Sequence, residues 1–445
     1  MKRKIYDCLV KWKNSKVHKP LVIRGARQIG KTYIIEHFMN DHYGKQGVDW
    51  IKLDFVEHHE YKLYFEKNLD WNQIIRNIQL DFKSFNIRTD KKVAILLDEI
   101  QKCDGAYASL KYLNELNIDI IATGSNLGLL KKVKKNTKVK EYSKPVGYVD
   151  VEYMHSLDFE EFLWANGYDE NRMQQIKDIC LSKKRIPNSV FDTLTELTKY
   201  YVLVGGMPEI VKTWISTKNL NNVYKEQKNI LALYRQNIVD NVENPHDIPR
   251  ILEVYDALPN QFAHKYKKFK YSLIKPLANS RKYLYPIQWL NEASIISFCK
   301  KMKDIAKPLN ANTINTSFKV YFNDIGLLTG SFSEDMQKDI FRNFDNKTKG
   351  PIFENLLADF LIKSNKYLCY AEKNKQYEID FVQVINDKIS LIDAKAGSSR
   401  SQSINKLVNN LIDTVGYKVG NFNYGVNNQI ISLPYFAFYF LLTNR

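Results

Sequence analysis

The 445-residue chain carries 66 Lys and Arg against 49 Asp and Glu, a formal net charge of +17, and is 44% hydrophobic and 13% aromatic. So much apolar surface excludes a disordered or low-complexity chain, and the length exceeds what one hydrophobic core supports, so two to four domains are expected. No apolar run reaches the roughly 20 residues that span a bilayer, so no membrane association is expected.

Positive charge of this size creates a field that favours polyanions, of which nucleic acid is the commonest inside a cell. The bland alternative is a lysine-rich composition spread over the whole surface. Five cysteines (Cys8, Cys103, Cys180, Cys299 and Cys369) stand far apart with no CxxC pair. That spacing argues against a zinc site or a disulfide scaffold and fits a reducing compartment.

In chain order, the basic start MKRKIYDCLVKWKN reads as an amphipathic helix without the apolar core and cleavage site of a signal peptide, so a cytoplasmic location is expected. Pro20 to Arg24 form a short strand-type run. Next come Gly25-Ala-Arg27-Gln28-Ile29-Gly30-Lys31-Thr32 and the helical pattern that opens at Tyr33. This is GxxxxGK[ST] in strand, loop and helix context, the phosphate-binding P-loop. Glycines let the loop backbone wrap closely around phosphate, and the helix N-terminus adds its positive dipole end. Residues 25, 27–33 are therefore the expected nucleotide contacts, with Lys31 on the β and γ phosphates and Thr32 offering its hydroxyl to magnesium. The cofactors implied are ATP and Mg2+.

A second element supports the first. The run Val93-Ala-Ile-Leu-Leu ends in Asp98 and Glu99. Asp98 is placed to hold the magnesium shell and Glu99 to polarise the attacking water, the catalytic roles of a hydrolysing ATPase. A third strand, Ile118 to Thr123, ends in Gly124, Ser125 and Asn126, where Ser125 or Asn126 is the candidate sensor of the γ-phosphate. In an AAA-type sheet this strand lies between the other two.

These stretches, with PVGYVDVEYMHSLDFEEFLWANG, YYVLVGGMPEIV, FKVYFNDIGLL and the closing EIDF and DAK runs, occur in one order along the chain. On them the sequence resembles the prokaryotic AAA-type ATPases that carry a C-terminal domain of unknown function. The resemblance implies an α/β fold with four parts: a P-loop NTPase core with a parallel sheet (residues 1–153), a helical lid (154–240), a winged-helix-like domain (241–330) and an α/β restriction-nuclease-like domain (331–445). AAA-like cores often form rings, which leaves a homo-oligomer open; Arg172, Arg185 and Arg235 are arginine-finger candidates that spacing does not separate. The sequence departs from the family pattern after ATGSN, where lysines crowd positions 131, 132, 134, 135, 138 and 140. A run so charged reads as a solvated face, or as a phosphate contact near a pore mouth.

Residues 247–303 read as three helices and an apolar strand, the size of a winged helix. A third helix in the major groove would turn Arg281, Lys282, Tyr283 and Gln288 toward duplex or branched DNA; docking to protein is the equal alternative. Beyond it, Glu354 lies near the start of an amphipathic helix, followed by strand patterns holding Asp380 and then Asp393-Ala394-Lys395. Glu, Asp and DxK in this order match the PD-(D/E)XK nuclease pattern. There Asp380, Asp393 and the Ala394 carbonyl can bind magnesium, and Lys395 can orient the attacking water. The closing PYFAFYFLLTN reads as a core strand. Three functions follow: a DNA-associated ATPase coupling nucleotide state to the winged-helix and nuclease-like module, an ATP-gated metal-dependent nuclease, or a nucleotide-dependent protein-binding switch.

Overall fold

The computed structural model describes residues 1–444 apart from 67–68, 84, 86–91, 114–116, 126–144, 146, 264–267, 345, 374–375, 397–401 and 412. The chain divides into two compact units, Met1–His155 and Ser156–Arg445.

In the first unit five parallel strands form one sheet in the order β2-β3-β4-β1-β5. They are β1 (Leu21–Gly25), β2 (Trp50–Asp54), β3 (Val93–Asp98), β4 (Ile118–Ser125) and β5 (Asp150–Tyr153). As expected, β4 lies between β3 and β1. Every residue of β3 and β4 is buried, because a parallel sheet covered on both faces demands continuous apolar strands. Leu53, Phe65, Trp71, Ile74, Ile95 and Leu97 form part of one such core layer.

The second unit holds two more sheets. The smaller runs β7-β6-β8-β9, built from β6 (Ile296–Met302), β7 (Thr313–Phe322), β8 (Cys369–Lys373) and β9 (Tyr377–Ile379). The larger runs β10-β11-β12-β14-β13, built from β10 (Phe381–Ile385), β11 (Lys388–Lys395), β12 (Thr414–Gly420), β13 (Gly425–Asn427) and β14 (Ile430–Pro434). The smaller sheet takes two strands from each side of residue 330, so the expected boundary there falls inside a sheet. The middle helix expected of a winged helix is a single 3-10 turn, Tyr271–Leu273, between the helices Ile248–Ala263 and Ser280–Glu292.

The closing segment differs from expectation. PYFAFYFLLTN forms a helix, Tyr435–Thr443, directly after Pro434. It is apolar all round because it is buried all round: Tyr439 packs edge-on against Phe159 and Phe360. A short run buried on every face shows neither helical nor strand periodicity, so the pattern alone could not separate the two.

An ion cluster with no access to water joins the elements of this unit. Lys363 Nζ lies 3.2 Å from Asp324 and 2.8 Å from Asp359, and donates to the Leu157 carbonyl (3.0 Å) and the Tyr201 hydroxyl (2.9 Å). Asp324 caps the helix Ile325–Ser331 by accepting from Gly326 and Leu327, and also accepts from Gly206 N–H (2.9 Å) and the Ser156 hydroxyl (2.6 Å). Such close approach needs glycine: a Cβ on Gly206 would stand 1.9 Å from the Leu157 carbonyl oxygen, and one on Gly326 2.3 Å from that of Val204. Burial raises Asp359 to about 6, against the pull of Lys363.

Removing the ammonium leaves two buried carboxylates facing each other. Lys363→Met is expected to destabilise the second unit by about 3–5 kcal/mol, read as a lowered calorimetric transition with that of the first unit unmoved. Asp359 also sets a pH dependence. Folded, it retains a proton that the unfolded chain, with a carboxyl near 3.8, has already released. Stability of the second unit should therefore fall as pH rises from about 4 to 6, and Asp359→Asn should flatten that slope in urea titrations across the same range.

Candidate functional site

The loop between β1 and the helix Lys31–His42 turns through two left-handed residues, Gln28 (φ 61°) and Gly30 (φ 83°), the second of which caps the helix. Gly25 is needed for a reason beyond phosphate access. A Cβ there would lie 2.2 Å from the Met154 carbonyl oxygen, so only glycine lets the chain leaving β5 pass over the loop. Arg3 ties the same places together, donating to the carbonyls of Ile29 (3.0 Å) and His155 (2.6 Å).

Lys31 curls back over the loop and donates to the carbonyls of Ala26 (2.7 Å) and Gly25 (3.3 Å). Burial lowers its pKa, while Glu99 and Asp98 act in the opposite direction. Of the other loop residues, Ile29 buries its side chain, Gln28 and Tyr33 are exposed, and Arg27 is half-buried. Ile29 can therefore offer phosphate only its backbone.

Asp98 ends β3 almost fully buried and accepts from the Thr32 hydroxyl at 2.9 Å. Thr123, inside β4, donates its hydroxyl to the same carboxylate and accepts from the Glu99 N–H at 3.0 Å. Glu99 is thereby held in the left-handed region (φ 53°), a conformation that few non-glycine residues adopt. Gln101 donates both to the Glu99 carboxylate and to the Ser125 hydroxyl, the latter at 3.3 Å. Lys52 on β2 places its ammonium 3.1 Å from Glu36, 3.3 Å from Asp54 and 3.7 Å from Asp98. Burial alone would lower its pKa, but the Glu36 hydrogen bond and the Asp98 charge prevail and raise it.

The expected residues Lys31, Thr32, Asp98, Glu99 and Ser125 thus meet at the carboxyl edge of the sheet, where open α/β sheets bind ligands. A hydroxyl and a carboxylate in direct contact supply hard oxygen ligands, so Thr32 and Asp98 fit a magnesium ion, which would neutralise phosphate charge beside Lys31. Asn126 and the lysines from 131 to 140 lie outside the described residues. Sequence reasoning missed Thr123, Lys52, Gln101 and Arg3. Thr123 had a signal, a hydroxyl residue inside an apolar strand two positions before its tip; Lys52 and Arg3 carried none.

Among the arginine candidates, Arg172 and Arg185 are exposed, and Arg235 is paired with Asp256 through two bonds of 3.1 Å. On the helix Ser280–Glu292, Arg281, Lys282 and Gln288 are exposed. Tyr283, expected to face DNA, is instead buried with its hydroxyl on Glu253, because it occupies the apolar side of that helix.

In the second unit Glu354, Asp380, Asp393 and Lys395 also converge. Glu354 lies on the helix Gly350–Lys363, Asp380 at the corner between β9 and β10, and Asp393 and Lys395 at the end of β11. Lys395 pairs with Asp393 at 2.8 Å, and Asp380 accepts from the Ala394 N–H at 2.9 Å. Burial first, then the nearby charges of Glu354 and Asp393, push the Asp380 carboxyl above the usual carboxylate range, against the pull of Lys319 and Lys395. A buried lysine that the pattern did not include, Lys319, stands among these acids. Among the described residues no group of three or more His, Cys, Asp or Glu side chains is arranged to hold a metal ion, and no helix is long and apolar enough to cross a membrane.

A family profile described as an AAA domain matches residues 17–163, and one described as a domain of unknown function matches residues 195–337. An uncharacterized protein of Methanocaldococcus jannaschii is 26% identical over 385 residues, 82% of this chain and 72% of that protein. Among solved structures, PCH-2 of C. elegans is similar at 14% identity with a TM-score of 0.29, over 50% of this chain and 65% of its own, just under two thirds of that length. AMPPCP-bound DnaA of Aquifex aeolicus gives 14% and 0.28 over 65% and 88% of the two chains. Aeropyrum pernix ORC1 in complex with DNA gives 10% and 0.28 over 77% and 91%. At these scores the structural likeness is remote. The first unit is a P-loop domain of the AAA type on the strength of its matched residues and the geometry above.

Thr123 ties the Asp98 carboxylate to the Glu99 backbone. Thr123→Val is expected to lower kcat for ATP hydrolysis by about 10- to 100-fold through misplacement of Glu99, with nucleotide affinity, measured by fluorescent-analogue titration, changed little.

Proposed function

We propose that this chain is an ATP-hydrolysing AAA-type protein that engages DNA, with nucleotide state relayed to the second unit through residues 154–156. The observation that carries the hydrolysis reading is the hydrogen-bonded set of Thr32, Asp98, Thr123 and Glu99 beside Lys31. Binding alone would not need Glu99 held in a left-handed conformation by a buried hydroxyl; aiming a carboxylate at a water beside the γ-phosphate would. Lys31 supplies the charge that follows the transferred phosphoryl group, and Ser125, joined to Glu99 through Gln101, is positioned to sense it.

The relay reading rests on how the chain leaves the first unit. Strand β5 pairs with β1, Met154 N–H donates to the Arg24 carbonyl at 2.8 Å, and Arg3 bonds both the loop and His155. Any shift of the loop on filling or emptying is therefore felt at the segment that continues into Ser156. Two features support DNA as the partner: the +17 charge, and the exposed Arg281, Lys282 and Gln288 on a helix followed by the antiparallel β6–β7 hairpin.

The test is steady-state ATP hydrolysis with magnesium, alone and with single-stranded, duplex and branched DNA, at low and moderate salt. Stimulation that weakens as salt rises is the expected result, and Lys31→Ala is expected to reduce turnover at least ~100-fold. Wild-type turnover in Lys31→Ala would sink the site assignment. Hydrolysis indifferent to every nucleic acid would turn the reading to a protein-binding switch.

A further inference from the structure

We infer that the acidic pocket of the second unit is neutralised by the chain's own Lys319, which stands where a restriction-nuclease-like site would carry its divalent cation, so that this pocket performs no metal-dependent cleavage. Lys319 lies in the middle of β7, opposite Cys299 of β6, with Phe318 and Val320 buried on either side of it in sequence. Its Nζ is 3.2 Å from Glu354, 3.8 Å from Glu378 and 3.8 Å from Asp380, and it lies over the Tyr370 ring, 5.2 Å from the centroid. The Tyr321 hydroxyl donates to the same Glu354 oxygen at 3.1 Å.

The remaining acid is also satisfied, since Lys395 sits on Asp393, and the second oxygen of Asp380 is taken by the Ala394 amide. Each carboxylate that would ligate a metal thus already faces an ammonium group. A divalent ion entering here would meet a fixed like charge with no route to water, because the backbone that carries Lys319 is locked into the sheet. The residue types of a nuclease are present, yet their arrangement does not fit the metal, in keeping with the lack of a metal-binding group among the described residues. What the cation supplies elsewhere, Lys319 supplies as a strut joining β7, the Gly350 helix and the β9–β10 corner.

The experiment is Mn2+ binding to the full-length protein without nucleotide, followed by electron paramagnetic resonance, for wild type, Asp393→Asn, Lys319→Met and the double variant. Wild type and Asp393→Asn are expected to bind Mn2+ alike, with no stoichiometric site that depends on Asp393. Lys319→Met is expected to gain about one site per chain that the double variant loses. One equivalent bound by wild type and lost in Asp393→Asn overturns the inference, and that comparison decides even where Lys319→Met does not fold. A folded Lys319→Met that gains no site overturns it as well. Because nucleotide is absent throughout, the result stands apart from the ATPase reading.

Discussion

An ammonium ion sealed from water is tolerated only where the surroundings replace its hydration, and three lysines of this chain obey that constraint in different ways. Lys363 is met by Asp324, Asp359, a tyrosine hydroxyl and a carbonyl, and the segments supplying them, around residues 157, 201, 324 and 359, are thereby tied together. Desolvation of so many charges is repaid only by complete pairing, which explains why the helix cap, the glycines and the ion pairs around it form one interdependent set. Lys319 is met by three carboxylates and an aromatic ring.

Lys31 meets the constraint differently. Its hydrogen bonds run to two neutral carbonyls, and the carboxylates of Asp98 and Glu99 act on it as charges without appearing among those bonds. Burial accordingly weakens its hold on the proton. A polyphosphate would supply the anionic partner that the protein withholds from Lys31, whereas Lys363 is supplied with its own. The difference between a structural and a functional lysine here lies in whether the chain provides the counter-charge itself.

The convergence of Lys31, Thr32, Asp98, Glu99 and Ser125 was legible because their pattern is local. Loop glycines, a lysine and a hydroxyl residue sit side by side, and the carboxylates end a strand whose unbroken apolar run announces its place in a parallel sheet. What supports those residues was harder to read. Thr123 was visible as an oddity in β4, but Lys52 acts from β2 and Arg3 from the segment before the first helix, both distant in sequence, and no spacing reports such contacts. The same limit explains the second unit: Glu354, Asp380, Asp393 and Lys395 converge as their order suggested, whereas Lys319, 35 positions before Glu354, gave no sign that it would stand between them. Tyr283 was misread because a basic helix start says little about which way an aromatic in its second turn points. The closing helix was misread because full burial erases periodicity.

The sheet β7-β6-β8-β9 draws half its strands from before residue 330 and half from well after it. Cutting the chain there would leave each fragment with a raw hydrogen-bonding edge, β6 stripped of β8 on one side and β8 stripped of β6 on the other, and such edges drive aggregation. The hairpin-bearing segment and the C-terminal segment therefore travel as one heritable piece. If this architecture was assembled by joining genes, the seam available for recombination lies near residues 155 and 156, where no strand is severed, and a fusion partner swapped at that point would receive both modules or neither.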